Sequence, residues 1–335
     1  MLSEYNTLPQ GLLDLPASRL GKVLPGPALI HLPGRRTPPL FVSVLLHGNE
    51  DAGWMAVQSV LKQYGATELP RALSLFVGNI AAARSGQRRL DGQPDYNRVW
   101  PGGEDPPTAE SAMMQQVVDA MRTRGVFASI DIHNNTGLNP HYACVNRLDQ
   151  DFLQLATLFS RIVVYFIRPR GVQSAAFADL CPSVTVECGK PGTPGSAEHA
   201  ATYIEACLHL SDFPVHPVAP HDIDLFHTVA TVKVPEQTSF GFNAPEADID
   251  FVPELDHFNF RELQRSNLLG RVRPDSPARL QAWNEAGEDI GARLFDYQQG
   301  EITLRQPLMP AMLTRDARVI RQDCLCYLME RIRTP

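Results

Sequence analysis

Apolar and polar positions along the chain switch repeatedly between two periods. Phe41 to Leu46 is a continuous apolar run apart from Ser43 and stops at His47-Gly48, which predicts a buried strand ending in a turn. Ala52 to Tyr64 has the helical period, with Trp54, Val57, Val60 and Leu61 on one face. Leu73 to Val77 predicts a strand that ends at Asn79. Thr108 is placed to cap a helix whose segment from Ser111 to Arg122 buries Met113, Met114, Val117, Val118 and Met121. Further strands are predicted at 126–132, 163–167 and 183–186, and helices at 152–162 and, after Gly195-Ser196, at 197–210. The first forty residues, rich in Pro, Leu and Gly, predict an edge element with a strand over Ala28 to Leu32. Strands alternating with helices in this way imply an α/β fold, with a doubly wound, parallel or mixed sheet flanked by helices.

The pattern changes after Asp212. Phe213 to Pro220 alternates with proline as a linker does, and beyond it the helical period largely disappears. Leu225 to Val234, Glu301 to Leu304 and Val319 to Leu328 alternate as strands. The expectation is a catalytic domain over 1–212 and a smaller β-rich domain over 213–335.

Candidate chemistry gathers where the predicted strands end. His47-Gly48-Asn49-Glu50 follows the first apolar run, His133 closes the run that contains Asp131, and Glu187-Cys188-Gly189 closes the run from Ser183. In open α/β sheets ligands bind at the carboxyl ends of strands. His-x-x-Glu alone describes a solvated turn. Joined by a second imidazole from a distant strand it suits one zinc ion with an open coordination position, and a further carboxylate nearby is what metal-assisted hydrolysis requires. Other divalent ions accept the same donors. Asp131 is placed to accept a hydrogen bond from an imidazole and fix its tautomer. Among the remaining histidines only His141, which follows the His133 loop, is a candidate for the site.

Four ordered segments, His47-Gly48-Asn49-Glu50, Asp95-Tyr96-Asn97-Arg98, Asp131-Ile132-His133-Asn134 and Val186-Glu187-Cys188-Gly189, resemble the succinylglutamate desuccinylase/aspartoacylase family, a branch of the zinc carboxypeptidase superfamily. The resemblance covers roughly residues 40 to 195 and implies a carboxypeptidase-like mixed sheet. It implies that His47, Glu50 and His133 bind one zinc ion and that Glu187 is the general base and acid. It also implies that Asn97 and Arg98 hold a substrate carboxylate. A further family arginine falls at Arg88 or Arg89, depending on whether positions are counted forward from Asn79 or back from Arg98. Arg88 is preferred for polarising the scissile carbonyl, which leaves Arg89 to substrate binding. Where the family grips substrate ahead of the catalytic glutamate, this chain has the uncharged Ala175-Ala176-Phe177-Ala178, with Arg168 and Arg170 as candidates to compensate. In the family a second domain narrows the site's mouth in favour of small N-acyl amino acids.

Composition sets the bounds. The 335 residues are 44% hydrophobic and 20% charged, enough for a large core. A net charge of −7 without a basic block argues against nucleic-acid and membrane-surface partners. No apolar run approaches the roughly 20 residues that span a bilayer, and Met1-Leu2-Ser3-Glu4 does not begin like a secretory leader. Six cysteines without a Cys-x-x-Cys pair fit buried thiols in a reducing compartment, so the expected location is cytoplasmic. The expected partner is a small carboxylate-bearing substrate, with a homo-oligomer left open. The favoured activity is hydrolysis of the amide of a small N-acyl amino acid, of the N-succinylglutamate or N-acetylaspartate type. Peptide trimming of the metallocarboxypeptidase kind and a non-catalytic zinc or ligand-binding module are the alternatives, the last disfavoured because a structural site does not need Glu187.

Overall fold

The computed structural model of the chain describes residues 1–104 and 106–333. They fall into two compact units, one of residues 1–134 and 141–225, the other of residues 135–140 and 226–332. The division near 225 lies beyond the proline-rich stretch at 213–220.

In the first unit the strands are β1 (Ser3–Tyr5), β2 (Ala28–Leu32), β3 (Leu40–Val44), β4 (Leu73–Val77), β5 (Ala128–His133), β6 (Tyr142–Val145), β7 (Ile162–Tyr165) and β8 (Ser183–Glu187), and they lie in the order β1-β2-β4-β3-β5-β8-β6-β7. The four central strands β4, β3, β5 and β8 are parallel, while β2 joins β4 and β6 joins β8 in antiparallel fashion. Every residue of those four strands is buried. A strand covered on both faces has no solvent side, which accounts for the largely apolar β3 and β4, while the polar residues of β5 and β8 are buried and lie on the face that leads to His133 and Glu187.

Among the described residues five helices lie between these strands, α1 (Ala52–Tyr64), α2 (Ile80–Arg84), α3 (Ala109–Arg124), α4 (Gln150–Thr157) and α5 (Gln173–Phe177), and a sixth, α6 (Ser196–His209), follows β8. Helix α1 buries Trp54, Val57, Val60 and Leu61 as its period requires. Gly53 lies so close to β5 that a Cβ on it would sit 2.9 Å from the Ile132 Cβ. The methionine and valine face of α3 packs with Phe41, Phe76, Trp100 and Phe177, and the rings of Phe41 and Phe177 stack at 4.4 Å.

Two elements differ from the sequence pattern for local reasons. Helix α4 ends at Thr157, whose hydroxyl turns back to the Leu153 carbonyl, and the Ser160 hydroxyl accepts the Ile162 N–H at 3.1 Å, so Ile162 opens β7. A helical period cannot show such side-chain competition for the backbone. The stretch expected as one strand over Val319 to Leu328 is split. Asp316 accepts hydrogen bonds from the Arg318 and Val319 amides and starts helix Ala317–Gln322, and a strand begins only at Cys326. Cys324 therefore lies outside the strand that holds Cys326.

The second unit is β-rich. Strand Asp224–Lys233, in this unit from Phe226 onward, pairs antiparallel with Gln281–Trp283 and with Cys326–Arg331, which also pairs with Met309–Ala311. A second sheet has five short strands from Phe240–Phe242 to Glu301–Leu304. Val232, Ile249, Phe251, Ile302 and Leu328 lie in its core. The six cysteines are all free, and among the described residues no helix is long and apolar enough to cross a membrane.

Helix α3 begins with a reciprocal box in which Thr108 accepts the Ser111 amide and Ser111 accepts the Thr108 amide. Thr108→Ala should cost about 1 kcal/mol in chemical denaturation. An unchanged midpoint would show that the box contributes nothing.

Candidate active site

The site is assembled where β3, β5 and β8 end. Strand β3 stops because Leu45 turns into the left-handed region at φ 59°, a conformation uncommon for a side chain of this kind, held by Asn79 N–H donating to its carbonyl at 2.6 Å. The chain then presents His47. Gly48 follows because nothing larger fits: a Cβ there would lie 2.2 Å from the Ala83 nitrogen at α2. In β5 and β8, His133 and Glu187 are register partners, as are Ile132 and Val186. Both side chains therefore leave the sheet on the same side.

Two imidazoles converge on one carboxylate. His47 Nδ1 is 2.9 Å from Glu50 Oε1 and His133 Nδ1 is 2.7 Å from Glu50 Oε2. All three residues are buried, and one donor atom from each lies within 4.8 Å of the others. Behind each ring stands another acid. His47 Nε2 meets Asp95 Oδ1 at 3.0 Å and His133 Nε2 meets Asp131 Oδ2 at 2.7 Å. Asp131 is further held by the Ser43 hydroxyl at 2.5 Å. Arg88 completes the cluster, donating to Asp95 Oδ2 at 3.0 Å and standing 3.7 Å from Glu50 Oε1.

These contacts shift the ionisation of His47, His133, Glu50 and Asp95. Burial and the Arg88 charge pull the His47 pKa down, yet Glu50 and Asp95 outweigh them and it ends raised. Burial likewise opposes charge on His133, but Asp131 and Glu50 hold its pKa well above the ordinary value. Burial also disfavours the Glu50 carboxylate, and the two imidazoles more than compensate, so its pKa is lowered. Asp95 is kept well below the usual range despite its burial by Arg88, His47 and Arg98. Both histidine shifts favour a proton on the ring nitrogen that faces Glu50 more than in a free imidazole.

The arrangement fits a divalent ion. Removing the two Nδ1 protons leaves two nitrogens and a carboxylate oxygen on one side, while Nε2–H of each ring stays fixed by an acid, the tautomer and orientation that metal-bound histidines require. One divalent cation would also replace the charge of the two protons.

The other expected residues fall as follows. Glu187 is buried at the end of β8, beside His133. Asn97 is buried and its Nδ2 donates to Asp131 Oδ2 at 3.3 Å, while its Oδ1 accepts the Gln173 amide at 2.9 Å. Its 3.2 Å approach to His133 Nε2 sets donor against donor, because that ring nitrogen donates to Asp131. Arg98 donates to the Asn97 carbonyl at 2.8 Å and borders a cavity of about 320 Å³ that is also lined by Trp100, Thr108 and Ser111. Arg89 turns to the Gln93 carbonyl at 2.7 Å, so of the two adjacent arginines it is Arg88 that reaches the cluster. Arg168 and Arg170 pair with Glu104 at 2.8 and 3.4 Å. The His141 ring lies 4.6 Å from that of His199.

Sequence reasoning gave no role to Asp95, Ser43 or Asn134. Asp95 heads one of the four segments, and Ser43 is the polar interruption of an otherwise apolar strand, which was its only signal.

Residues 36–211 match the succinylglutamate desuccinylase/aspartoacylase catalytic domain. The chain belongs to this family, whose members are deacylase hydrolases. No curated relative matches it by sequence. Among solved structures it is similar to the succinylglutamate desuccinylase from Chromobacterium violaceum, at 16% identity with a TM-score of 0.58, over 90% of this chain and 87% of that one. It is also similar to murine aminoacylase 3, at 14% identity and a TM-score of 0.55, over 90% and 98%. A third is a succinylglutamate desuccinylase/aspartoacylase from Rhodobacter sphaeroides, at 14% and 0.57, over 90% and 88%. At such identities the likeness establishes the fold, a large mixed sheet with a second small sheet.

Two outcomes are expected for metal loading. Zinc binding near neutral pH should release up to about two protons per ion and tighten as pH rises, because the raised imidazoles must deprotonate. Calorimetry in buffers of different ionisation enthalpy reads this directly. Asp131→Asn should weaken zinc about 10–100-fold in chelator competition, and an unchanged affinity would remove the acid behind His133 from the site.

Proposed function

We propose that the chain is a zinc-dependent deacylase that hydrolyses the amide of a small N-acyl amino acid bearing a carboxylate. The observation that carries this reading is the buried Glu50 carboxylate shared by His47 and His133, with Glu187 the register partner of His133. His47, Glu50 and His133 would hold the ion. When bound, zinc supplies Lewis acidity at the amide carbonyl and a water made acidic enough to react near neutral pH.

Glu187 is the proton carrier. It takes a proton as the carbonyl is attacked and returns it to the departing amine, so one carboxylate serves as base and then as acid. Its place beside His133 supports that role. Arg88 keeps a guanidinium beside the ligand cluster while tied to Asp95, fixed in advance for negative charge developing on the carbonyl oxygen. Arg98 offers a planar fork suited to a substrate carboxylate and borders an open cavity. Asn97 acts here by orienting Asp131 and the Gln173 backbone, and Arg89 by supporting the loop through Gln93.

The test is a release assay of the zinc-loaded protein against N-succinyl and N-acetyl acidic amino acids, with C-terminally free peptides alongside. Faster release from the acyl amino acids is expected. Faster trimming of the peptides would select the carboxypeptidase alternative, and no turnover of either would select the binding module. Glu187→Gln should lower kcat at least about 100-fold and leave the zinc content unchanged. A near-normal rate in that variant would exclude Glu187 as the proton carrier.

A further inference from the structure

Catalysis of the kind proposed needs Glu187 at a fixed offset from Glu50, yet the two carboxylates come from elements far apart in the chain. Asn134, 1% exposed, touches the surroundings of both. Its main-chain N–H donates to Glu50 Oε2 at 3.3 Å. Its side-chain Oδ1 accepts the N–H of Ala52, the first residue of α1, at 3.0 Å. Its Nδ2 donates to the carbonyl of Gly189, two residues beyond Glu187, at 3.0 Å.

The turn that Asn134 grips is rich in glycine. Gly189 has φ 72°, Gly192 φ 75° and Gly195 φ 85°, so the backbone leaving Glu187 runs through three glycines in left-handed conformations. Glycine is the residue least restrained by its own side chain. Immediately after Glu187 the Cys188 N–H donates to the His133 carbonyl at 2.9 Å. The Asn134 amide adds its bond to the Gly189 carbonyl and ties it to the start of the helix that follows Glu50.

We infer that Asn134 is a positioning residue that sets the offset between the metal-ligand cluster and Glu187, through the simultaneous hydrogen bonds of its amide to Ala52 and Gly189. The inference rests on the deacylase reading for its effect on rate and on the hydrogen bonds alone for its effect on the turn. Because the bond to Glu50 comes from the main chain, replacing the side chain leaves that ligand contact in place. Loss of the amide should thus act on kcat while zinc stays bound.

The experiment compares the zinc-loaded full chain with Asn134→Ala and Asn134→Asp. The aspartate variant retains an acceptor for Ala52, and sets an oxygen against the Gly189 carbonyl where the wild type has a donor. Both should lower kcat by up to about 100-fold, the scale of a 1 Å misplacement, with KM and zinc affinity close to wild type. Amide hydrogen exchange over residues 188–192 should speed up in both. Wild-type kcat in either folded variant, or a fall in rate matched by loss of zinc, would overturn the inference. If Asn134→Ala does not fold, Asn134→Asp decides alone. Should the wild-type protein turn over no acyl amino acid, the deacylase reading fails. The exchange arm then still decides whether the Asn134 amide holds the turn, and unchanged protection over 188–192 would refute it.

Discussion

A buried carboxylate shared by two buried imidazoles is the interaction around which the rest of the first unit is arranged. Glu50 is 5% exposed, and a charge so far from water is tolerated only where it is paired and hydrogen-bonded. Its partners therefore had to come to it. His47 arrives through the turn three residues earlier and His133 through a strand 83 residues later. The imidazolium charges in turn draw in Asp95 and Asp131, and Arg88 balances Asp95.

The sheet makes this convergence possible. Central parallel strands all end at one edge, and Ser43, Asp131 and Thr185 lie side by side across β3, β5 and β8. Two positions further along β5 and β8, the same face carries His133 and Glu187. Asp131, His133 and Glu187 are thereby fixed by one register. Loops supply the rest: the segment from Arg88 to Arg98 folds back so that Asp95 closes on His47 from 48 residues away.

Much of this was legible in the chain. Nearly continuous apolar runs marked β3 and β4, which are buried on both faces, and alternating Ile and Val marked β5 and β8, whose other face carries Asp131, His133, Thr185 and Glu187. Periodic faces marked α1, α3 and α6. The ligand types at strand ends were visible for the same reason, as polar residues following apolar runs. What was not legible depended on contacts between distant loops. Asp95 could be named in its segment but not given a partner, and Arg88 could not be separated from Arg89 by counting, since the direction of a side chain on a turn is set by tertiary contacts. The helix at Ala317–Gln322 was hidden because an aspartate cap outweighed β-branched residues that alternate like a strand. The sheet strand Tyr142–Val145 is only four residues long, too short for its period to stand out.

The pairing of His133 with Glu187 across β5 and β8 also bears on how this enzyme family can vary. Side chains on a strand alternate between opposite faces, so inserting or deleting one residue within Ser183–Glu187 would turn the glutamate toward the helices and offer Val186 or Cys188 in its stead. Length changes in that stretch are therefore closed to evolution except in pairs.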